Sequence, residues 1–372
     1  MNEAGRLGSR EAGNQGMVLP QLDLISSGDI PSPPPRLPAS QLPVLDTRSR
    51  GTRFIQLTVR SVLNTPAATK MGFWSINPYV GCEFGCTYCY ARDTHRWVME
   101  RASSYPPSSH RSALPPEEAF EKEILIKSDV ADVLRRTLNP SRIAGHSLVI
   151  GTATDPYQPA ERSFQLTRGI LEVLRSYHGL SIEIITKSPL IVRDLDLLQI
   201  LSQRNEVSIN ISLATADRRL ARRLELRSPV PEARLRALRR LTAGGIYAGL
   251  IVAPIVPGIT DDWAGLARLM EAAKEAGARY VIGSALRLGP AARHRFLPHL
   301  EREFPALYTR YRRHYAGKEH VSQDYQHALT RRFRALQQAY GFPVDDDGRR
   351  RRQLEGRLPR NPGKLAEQAV LL

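Results

Sequence analysis

The stretch that decides the fold is residues 77–90, which read NPYVGCEFGCTYCY and contain every cysteine of the chain. Cys82, Cys86 and Cys89 are spaced C-x3-C-x2-C. Three thiols so close in sequence bind one metal centre, form one disulfide with a thiol left over, or lie together by coincidence. Clustered thiols stay reduced in a cytosol, so metal or redox chemistry is the better interpretation for a cytosolic protein.

Iron–sulfur ligation and zinc ligation make different demands on these cysteines. Thiolates are the usual ligands of a four-iron cubane, so three of them bind three irons and leave one open to a substrate or cofactor. Structural zinc takes four ligands, and His95 is the candidate for the fourth. The resulting C-x3-C-x2-C-x5-H pattern fits none of the usual zinc-finger spacings. A cluster with one open iron is the leading hypothesis, and zinc is the alternative.

Composition indicates a soluble, cytoplasmic protein. The 372 residues are 42% apolar and 24% charged, which is ordinary for a soluble globular chain. No signal-peptide pattern and no run of about 18 apolar residues is present, so we expect neither secretion nor a membrane partner. The formal net charge of +16 suits a polyanionic partner such as nucleic acid. It equally suits a compositional bias of the genome, because only seven of the 53 basic residues are lysine.

Composition and pattern divide the chain into four segments. Residues 1–45 are rich in Pro, Gly and Ser and are predicted to form a disordered arm. Residues 50–290 form the predicted core. Residues 291–344 are predicted to be a helical C-terminal extension, and residues 345–372 a basic tail.

Within the core, apolar runs rich in β-branched residues alternate with segments of helical spacing. The runs are mostly continuous, which is typical of parallel strands covered by helices. Six such units predict an α/β fold, a partial (β/α)6 barrel of the TIM type, in which chemistry collects at the carboxyl ends of the strands. The predicted strands are Trp74–Tyr79, Leu148–Ala153, Ile182–Thr186, Val207–Leu213, Tyr247–Ala253 and Tyr280–Ala285.

Polar residues do gather at those ends. Thr152–Gln158 follows the second predicted strand and Thr186–Ser188 the third. On the fourth strand, Ser208, Asn210 and Ser212 are spaced by two and so face one side. The cysteine stretch follows the first strand, so the sequence predicts one site that combines these groups.

Several motifs resemble those of radical S-adenosylmethionine enzymes. The C-x3-C-x2-C spacing with an aromatic residue, Tyr88, before the last cysteine is the signature of that superfamily. Closer matches resemble its spore-photoproduct-lyase-like branch, often described as DNA repair photolyase-like. These matches are Asn77–Cys82, Tyr88–Arg92, Thr94–His95, Gly151–Glu161, Thr186–Ser188 and Ala253–Gly258.

The resemblance implies two cofactors, a [4Fe-4S] cluster and S-adenosylmethionine. Cys82, Cys86 and Cys89 would bind the cluster, and its open iron would hold the methionyl amino and carboxylate groups. One electron from an external reductant of the flavodoxin or ferredoxin type would cleave the sulfonium bond. The resulting 5′-deoxyadenosyl radical would abstract hydrogen from the substrate, while the protein positions the cofactor and excludes water.

The resemblance also assigns residues to the cofactor. Tyr88 would lie near the adenine, or would simply pack beside the cluster. Thr154 stands where a hydroxyl residue contacts the cofactor. Asp155 would bind the methionyl amine, or cap the turn before Pro156. Lys187 would pair with the methionyl carboxylate, with a solvated lysine as the alternative.

Four further residues complete the assignment. Ser212 matches a hydroxyl that meets the ribose or the carboxylate, and Asn210 faces the same way and is the substitute candidate. Arg234 matches an arginine that is common after this strand, with a helix-surface charge as its alternative. Tyr90 resembles an active-site tyrosine of the lyases and is the candidate catalytic residue, with core packing as its alternative.

One departure separates the chain from photoproduct lyases. Those enzymes place a hydrogen-donating cysteine after the second strand, where this chain has Thr152. An alcohol O–H bond is too strong for that transfer, and no fourth cysteine exists. We therefore predict a radical S-adenosylmethionine enzyme that acts on a nucleic acid or nucleotide but is not a standard spore photoproduct lyase. A peptide or small-metabolite substrate, and a non-catalytic zinc-stabilised nucleic-acid-binding protein, are the alternatives.

Overall fold

Thirteen short and long strands build the sheets of the described chain. We describe the protein from a computed structural model, in which residues 43–48, 51–69, 71–95, 114–344 and 363–364 are described. The strands are β1 Val44–Thr47, β2 Arg53–Gln56, β3 Leu63–Asn64, β4 Trp74–Ile76, β5 Tyr79–Val80, β6 Glu123–Ile126, β7 Ser147–Ile150, β8 Tyr177–His178, β9 Ser181–Thr186, β10 Glu206–Ser212, β11 Tyr247–Ile255, β12 Val281–Ala285 and β13 Gly363–Lys364.

Helices fill most of the segments between the strands, as the spacing of apolar residues predicts. A 3-10 helix, Pro189–Asp194, precedes the helix that follows β9. The α-helices are α1 Pro66–Thr69, α2 Pro116–Lys122, α3 Val130–Thr137, α4 Pro140–Ile143, α5 Glu161–Phe164, α6 Leu166–Leu174, α7 Leu195–Ser202, α8 Arg218–Leu224, α9 Pro231–Ala243, α10 Trp263–Glu275, α11 Pro290–Glu303, α12 Pro305–His314 and α13 Gln323–Tyr340.

The main sheet contains six parallel strands in the order β12-β11-β10-β9-β7-β4, with β3 antiparallel at one edge. Ile150, Ile184, Ile211 and Leu250 in its strands are fully buried, because helices cover the sheet. Each of the six predicted strands overlaps one strand of this sheet, and the predicted α/β fold, a partial (β/α)6 barrel, is confirmed. Their carboxyl ends meet at one edge of the sheet, where the polar residues were expected to meet.

A second, four-stranded sheet in the order β1-β2-β6-β5 was not predicted. Its strands are two to four residues long, too short to show a period. The predicted strand Trp74–Tyr79 is divided between the two sheets. Pro78 lies at the break and lacks the N–H that a sheet ladder needs. The division directs the chain from the main sheet into the cysteine stretch.

The predicted arm and tail lie largely outside the described residues. Of the arm, residues 43–45 are described, and Val44 and Leu45 belong to β1, so strand structure begins before the predicted boundary. Of the tail, Gly363–Lys364 pairs antiparallel with Tyr177–His178. The helix α6 ends at Leu174, and β8 begins at Tyr177.

The segment predicted as a helical extension carries α11, α12 and α13. Phe296 and Leu300 of α11 and Tyr311 of α12 belong to the same buried cluster as Cys82 and Cys86. The extension therefore packs on the cysteine stretch. None of the helices in the described residues has the length and apolar character needed to cross a bilayer.

His299 on α11 is a buried imidazole in this packing. It is 1% exposed; its Nε2 lies 2.6 Å from the Arg223 carbonyl oxygen and Arg302 donates to its Nδ1 at 3.1 Å. Burial lowers the pKa of His299 below its ordinary 6.5. As pH falls below about 6.5, the unfolded chain takes up a proton that the folded chain does not, so stability falls by at most about 1.4 kcal/mol per pH unit.

We expect the free energy of unfolding, measured by denaturant titration between pH 5 and pH 8, to decline below about pH 6.5 in the wild type. The His299→Gln variant should show a smaller decline in that window. His294→Gln is the control on the same helix. Equal slopes in the wild type and His299→Gln would show that His299 does not carry the dependence.

Candidate functional site

A cavity of about 340 Å³ lies at the carboxyl edge of the main sheet. We call it the thiol cavity, because all three cysteines line it. It is built from the cysteine stretch, from residues that follow β7, β9 and β12, and from residues within β9, β10, β11 and β12. Its polar and reactive lining residues are Cys82, Cys86, Cys89, Tyr88, Tyr90, Thr152, Thr154, Asp155, Thr186, Lys187, Ser212, Ser284 and Arg287.

The backbone of the cysteine stretch is held tightly on its neighbours. The Cys82 amide donates to the Phe120 carbonyl at 2.8 Å, and the Thr87 amide donates to the Leu224 carbonyl at 3.0 Å. Gly81 has φ +94° and a Cβ there would lie 2.9 Å from the Phe120 carbonyl oxygen. Only glycine fits this approach without strain. The stretch therefore enters the cavity on a fixed path.

A buried carboxylate and three arginines support the same stretch from behind. Arg92 is fully buried and donates to the Cys86 carbonyl at 2.7 Å and to Glu121. Glu121 also accepts from Arg227 at 2.6 Å and from Arg295 at 3.1 Å. Burial alone raises the pKa of Glu121, but the three guanidinium groups outweigh it and the pKa is lowered. The ionised carboxylate thus ties the cysteine stretch to α11.

The three thiols are free rather than joined in a disulfide. Burial, followed by the charge of Glu225, raises the pKa of Cys86 to about 12. In the described part of the chain, no three His, Cys, Asp or Glu side chains converge on a single ion. A cubane does not need such convergence, since each thiolate binds a different iron. The cysteine stretch contributes three sulfur atoms to the cavity wall as possible metal ligands, and sulfur ligands suit an iron–sulfur cluster.

Thr154 and Asp155 both line the cavity, but their polar atoms are already engaged. The Thr154 hydroxyl donates to the Gly81 carbonyl at 2.6 Å. Asp155 accepts from the Tyr157 amide at 2.9 Å, from the Thr186 hydroxyl at 2.6 Å and from the Lys187 amide at 2.7 Å. Asp155 therefore takes the turn-capping role and also fixes the start of the segment that carries Lys187.

Lys187 points its ammonium at two groups in the cavity wall. Its Nζ donates to the Ser212 hydroxyl at 2.7 Å and lies 3.2 Å from Glu225. Burial by itself lowers the pKa of Lys187, but Glu225 outweighs it and the pKa is raised. The side chain is charged at neutral pH. An ammonium has three N–H donors, so one remains for a ligand.

Glu225 is the centre of a buried charge network that sequence reasoning did not assign. It accepts from the Tyr88 hydroxyl and from Arg234, besides facing Lys187. Burial raises its pKa, yet Arg234 and Lys187 outweigh burial and lower the pKa to about 2. The Glu225 side chain is 2% exposed, and the backbone of Glu225 pairs with that of Cys86 through an isolated antiparallel β-bridge. It thereby orients Tyr88, Lys187 and the middle of the cysteine stretch together.

Tyr90 and Thr152 lie on the open side of the cavity. Tyr90 is 41% exposed, and its hydroxyl donates to the Thr152 carbonyl. The Thr152 hydroxyl accepts from Asn77 at 3.1 Å. Tyr90 is thus not a core-packing residue. Thr152 lines the same cavity as the three thiols.

Two predicted residues do not line the cavity. Asn210 lies two residues before Ser212 in β10, further from the carboxyl end of the strand. Its side-chain oxygen accepts from the Tyr280 hydroxyl at 3.0 Å. Arg234 donates to the Ser212 carbonyl at 3.0 Å and to Glu225, and is 1% exposed. It supports the wall from behind, contrary to the helix-surface alternative.

Arg287 was also missed. It follows β12 and lines the cavity, and it forms an exposed ion pair with Glu319 at 2.9 Å. The rule that located the polar groups after the second and third strands would have found it after the sixth. Glu225 carried a weaker signal, since it lies in a Leu-Glu-Leu run without a strand end beside it.

Comparison with known proteins agrees with this geometry. The model of the Radical SAM superfamily matches residues 76–270. An uncharacterized protein of Mycobacterium tuberculosis (strain ATCC 25618 / H37Rv) is 33% identical over 297 residues, which cover 79% of this chain and 83% of the relative. An uncharacterized protein of Methanocaldococcus jannaschii is 28% identical over 207 residues, covering 56% of this chain and 69% of the relative.

Solved structures share the fold. Spore photoproduct lyase complexed with dinucleoside spore photoproduct has a TM-score of 0.56 at 15% identity, covering 78% of this chain and 80% of that chain. A double mutant of that lyase with bound AdoMet and the same photoproduct has a TM-score of 0.53 at 14% identity, with the same coverage. The match to the family model and the similarity to the mycobacterial relative show that the chain belongs to the radical SAM superfamily.

Proposed function

We propose that the protein is an enzyme that uses a [4Fe-4S] cluster to cleave S-adenosylmethionine reductively and to abstract hydrogen from a substrate. Membership of the superfamily implies both cofactors. The single observation that carries the proposal is that three free thiols and the Lys187 ammonium line one cavity at the carboxyl edge of the half-barrel. When bound, the cluster and S-adenosylmethionine supply a radical that abstracts hydrogen.

The chain's own residues would bind and orient the cofactor. Cys82, Cys86 and Cys89 hold the cluster, and the remaining N–H donor of Lys187 binds the methionyl carboxylate. Ser212 and Glu225 hold that ammonium in place. The apolar part of the wall, which includes Ile185, Ile251, Ala253 and Leu286, keeps water away from the reacting groups.

Replacing Lys187 tests the carboxylate contact. We expect Lys187→Gln to raise the Kd for S-adenosylmethionine by about 10-fold or more, because a hydrogen bond to a charged group contributes about 1.5–3 kcal/mol. Equilibrium dialysis of anaerobic, cluster-loaded protein measures this Kd. Lys122→Gln, at an exposed helix position, is the charge-matched control. A Kd within about twofold of the wild type in a folded Lys187→Gln variant would contradict the contact.

The reaction itself is tested by product analysis. Anaerobic protein given a strong reductant and S-adenosylmethionine should form 5′-deoxyadenosine. A working radical enzyme run in parallel is the control. Failure of cluster-loaded protein to form this product would refute the proposed reaction, whatever the substrate is.

For the substrate we propose a nucleic acid or a nucleotide. The formal charge of +16 favours a polyanion, and one solved structure of the same fold is complexed with a dinucleoside photoproduct. Deuterated candidate pools identify the class, since deuterium appears in 5′-deoxyadenosine only from the molecule that is attacked. Label arriving from nucleotides or nucleic acid supports the proposal. Label arriving only from a peptide or small-metabolite pool refutes it.

The threonine at position 152 leads to a prediction about the spore photoproduct. We expect the protein to convert no dinucleoside spore photoproduct to thymidylyl product, because the side chain at the donor position is an alcohol and the chain has no cysteine beyond the three of the cluster. Chromatography of the anaerobic reaction measures this, with an authentic photoproduct lyase as the positive control. Conversion at the rate of that lyase would show that another group returns the hydrogen atom.

A further inference from the structure

A second and larger concavity lies on the C-terminal helices. It has a volume of about 670 Å³ and is formed by α12, by the chain between α12 and α13, and by the loop after β11. We call it the C-terminal cleft. The residues that matter below are Pro257, Arg310, Tyr311, Arg313, Tyr315 and Lys318.

The cleft is strongly positive. Arg310, Arg313 and Lys318 are exposed, and neither Asp nor Glu lines the cleft among the described residues. None of these three cations takes part in an ion pair with a carboxylate of the described chain, whereas Arg287 and Arg302 do. The neighbouring Asp261 is engaged, since it accepts from the Tyr325 hydroxyl at 2.8 Å and from the Gly258 amide at 2.7 Å.

The cations are presented on one face of a helix over a rigid floor. Arg310 and Arg313 are three residues apart on α12 and so lie on the same face. Tyr311 and Tyr315 beneath them stack at 5.7 Å and are only 4% and 2% exposed. Their rings therefore form the buried floor of the cleft and do not offer an exposed face on which a base could stack. The groups that the cleft offers to a ligand are therefore mainly cations, and guanidinium groups match phosphate oxygens in geometry.

The C-terminal cleft and the thiol cavity share a wall. Ala253 and Pro254 near the end of β11 line the cavity, and Pro257, in the loop that follows this strand, lines the cleft. The Tyr315 hydroxyl lies 3.5 Å from the carbonyl oxygen of Leu286, which also lines the cavity. A ligand held in the cleft is thus next to the place where the radical is expected to form.

We propose that the C-terminal cleft binds a phosphate group of the substrate while the part that loses hydrogen lies in the thiol cavity. The placement of the hydrogen-losing part in the thiol cavity rests on the proposed function. Binding of phosphate in the cleft is independent of the radical reaction. The shared chemistry is a phosphate ester, which a mononucleotide or a nucleic-acid strand would supply.

The test measures binding of three probes by the full-length, cluster-loaded protein: thymidine, thymidine 5′-monophosphate and a ten-nucleotide single-stranded oligothymidylate. The test variant is Arg310→Ala with Arg313→Ala. The control is Arg312→Ala with Arg331→Ala, which removes the same charge from exposed helix positions that do not line the cleft. Circular dichroism checks that both variants fold.

We expect the test variant to weaken binding of a phosphate-bearing probe by about 10-fold or more, and the control by about twofold or less. For the oligonucleotide, the slope of log Kd against log salt should shrink by about 1.4, because two phosphate contacts are lost. Binding of the monophosphate identifies a nucleotide ligand. Binding of the oligonucleotide alone identifies a strand. Equal binding of thymidine, or equal weakening in both double variants, overturns the proposal.

Formation of 5′-deoxyadenosine without substrate separates this proposal from the proposed function. Neither double variant touches the cofactor residues, so both should form 5′-deoxyadenosine at the rate of the wild type. If the wild type binds phosphate through Arg310 and Arg313 but forms no 5′-deoxyadenosine, the cleft stands and the proposed reaction fails. If it forms the product but binds no phosphate-bearing probe, the cleft proposal fails alone.

Discussion

The Cys86→Ala variant is expected to lose the cluster and to form no 5′-deoxyadenosine above background. Cys86 is the middle cysteine, 6% exposed, and its carbonyl is fixed by Arg92. Alanine keeps that backbone contact and removes only the sulfur, so two thiols remain where three irons need ligands. Iron and sulfide analysis together with chromatography of the anaerobic reaction measure both losses.

A second variant at the same place serves as the control. The Ser228 hydroxyl lies 3.3 Å from the Cys86 Sγ, and Ser228→Ala removes this polar contact but leaves all three thiols. It should keep the cluster and form product. Cys86→Ala protein that holds a full cluster and forms 5′-deoxyadenosine would show that the Cys86 thiol is not one of its ligands.

The Glu225→Gln variant should have the largest effect on stability. Arg234 and Lys187 both face Glu225, and their side chains are 1% and 13% exposed. Glutamine leaves two cations in the wall without their counter-charge, and removal of one partner from a buried pair costs about 3–5 kcal/mol. Urea unfolding measures the loss. Binding of S-adenosylmethionine should weaken as well, since Lys187 and Tyr88 lose the group that orients them.

Glu118→Gln is the matched control for this change. Glu118 pairs with Lys122 across one helical turn, and both side chains are 49% exposed. Loss of an exposed pair costs at most about 1 kcal/mol. Equal losses of stability in the two variants would show that Glu225 contributes no more than an exposed charge does. That result would contradict the role of Glu225 in a buried charge network.

Local sequence predicts the main sheet because its strands are continuous apolar runs with a helical segment after each. Pro78 shows where this kind of inference fails. The run Trp74–Tyr79 reads as one strand, but its two ends pair with different sheets. Strands such as Tyr79–Val80 and Arg53–Gln56 are stabilised by partners distant in sequence, so no local period marks them.

The site divides in the same way. Residues near strand ends, among them Lys187, Ser212 and Thr152, line the thiol cavity as their positions predict. Asn210 is on the same face of β10 as Ser212 but lies too far from the carboxyl end of the strand to line the cavity. Alternation along a strand predicts which face a side chain is on, but not how far it lies from the end of the sheet. Glu225 accepts from Tyr88, 137 positions away, and Glu121 accepts from Arg92 and Arg227, 29 and 106 positions away. Such pairings arise only when the chain folds.

The content of iron, sulfide and zinc in anaerobically reconstituted protein tests the central claim most directly. A cluster held by Cys82, Cys86 and Cys89 predicts brown protein with about four irons and four sulfides per chain. Colourless protein that holds stoichiometric zinc and no sulfide after the same reconstitution would contradict the claim and favour the zinc-stabilised alternative.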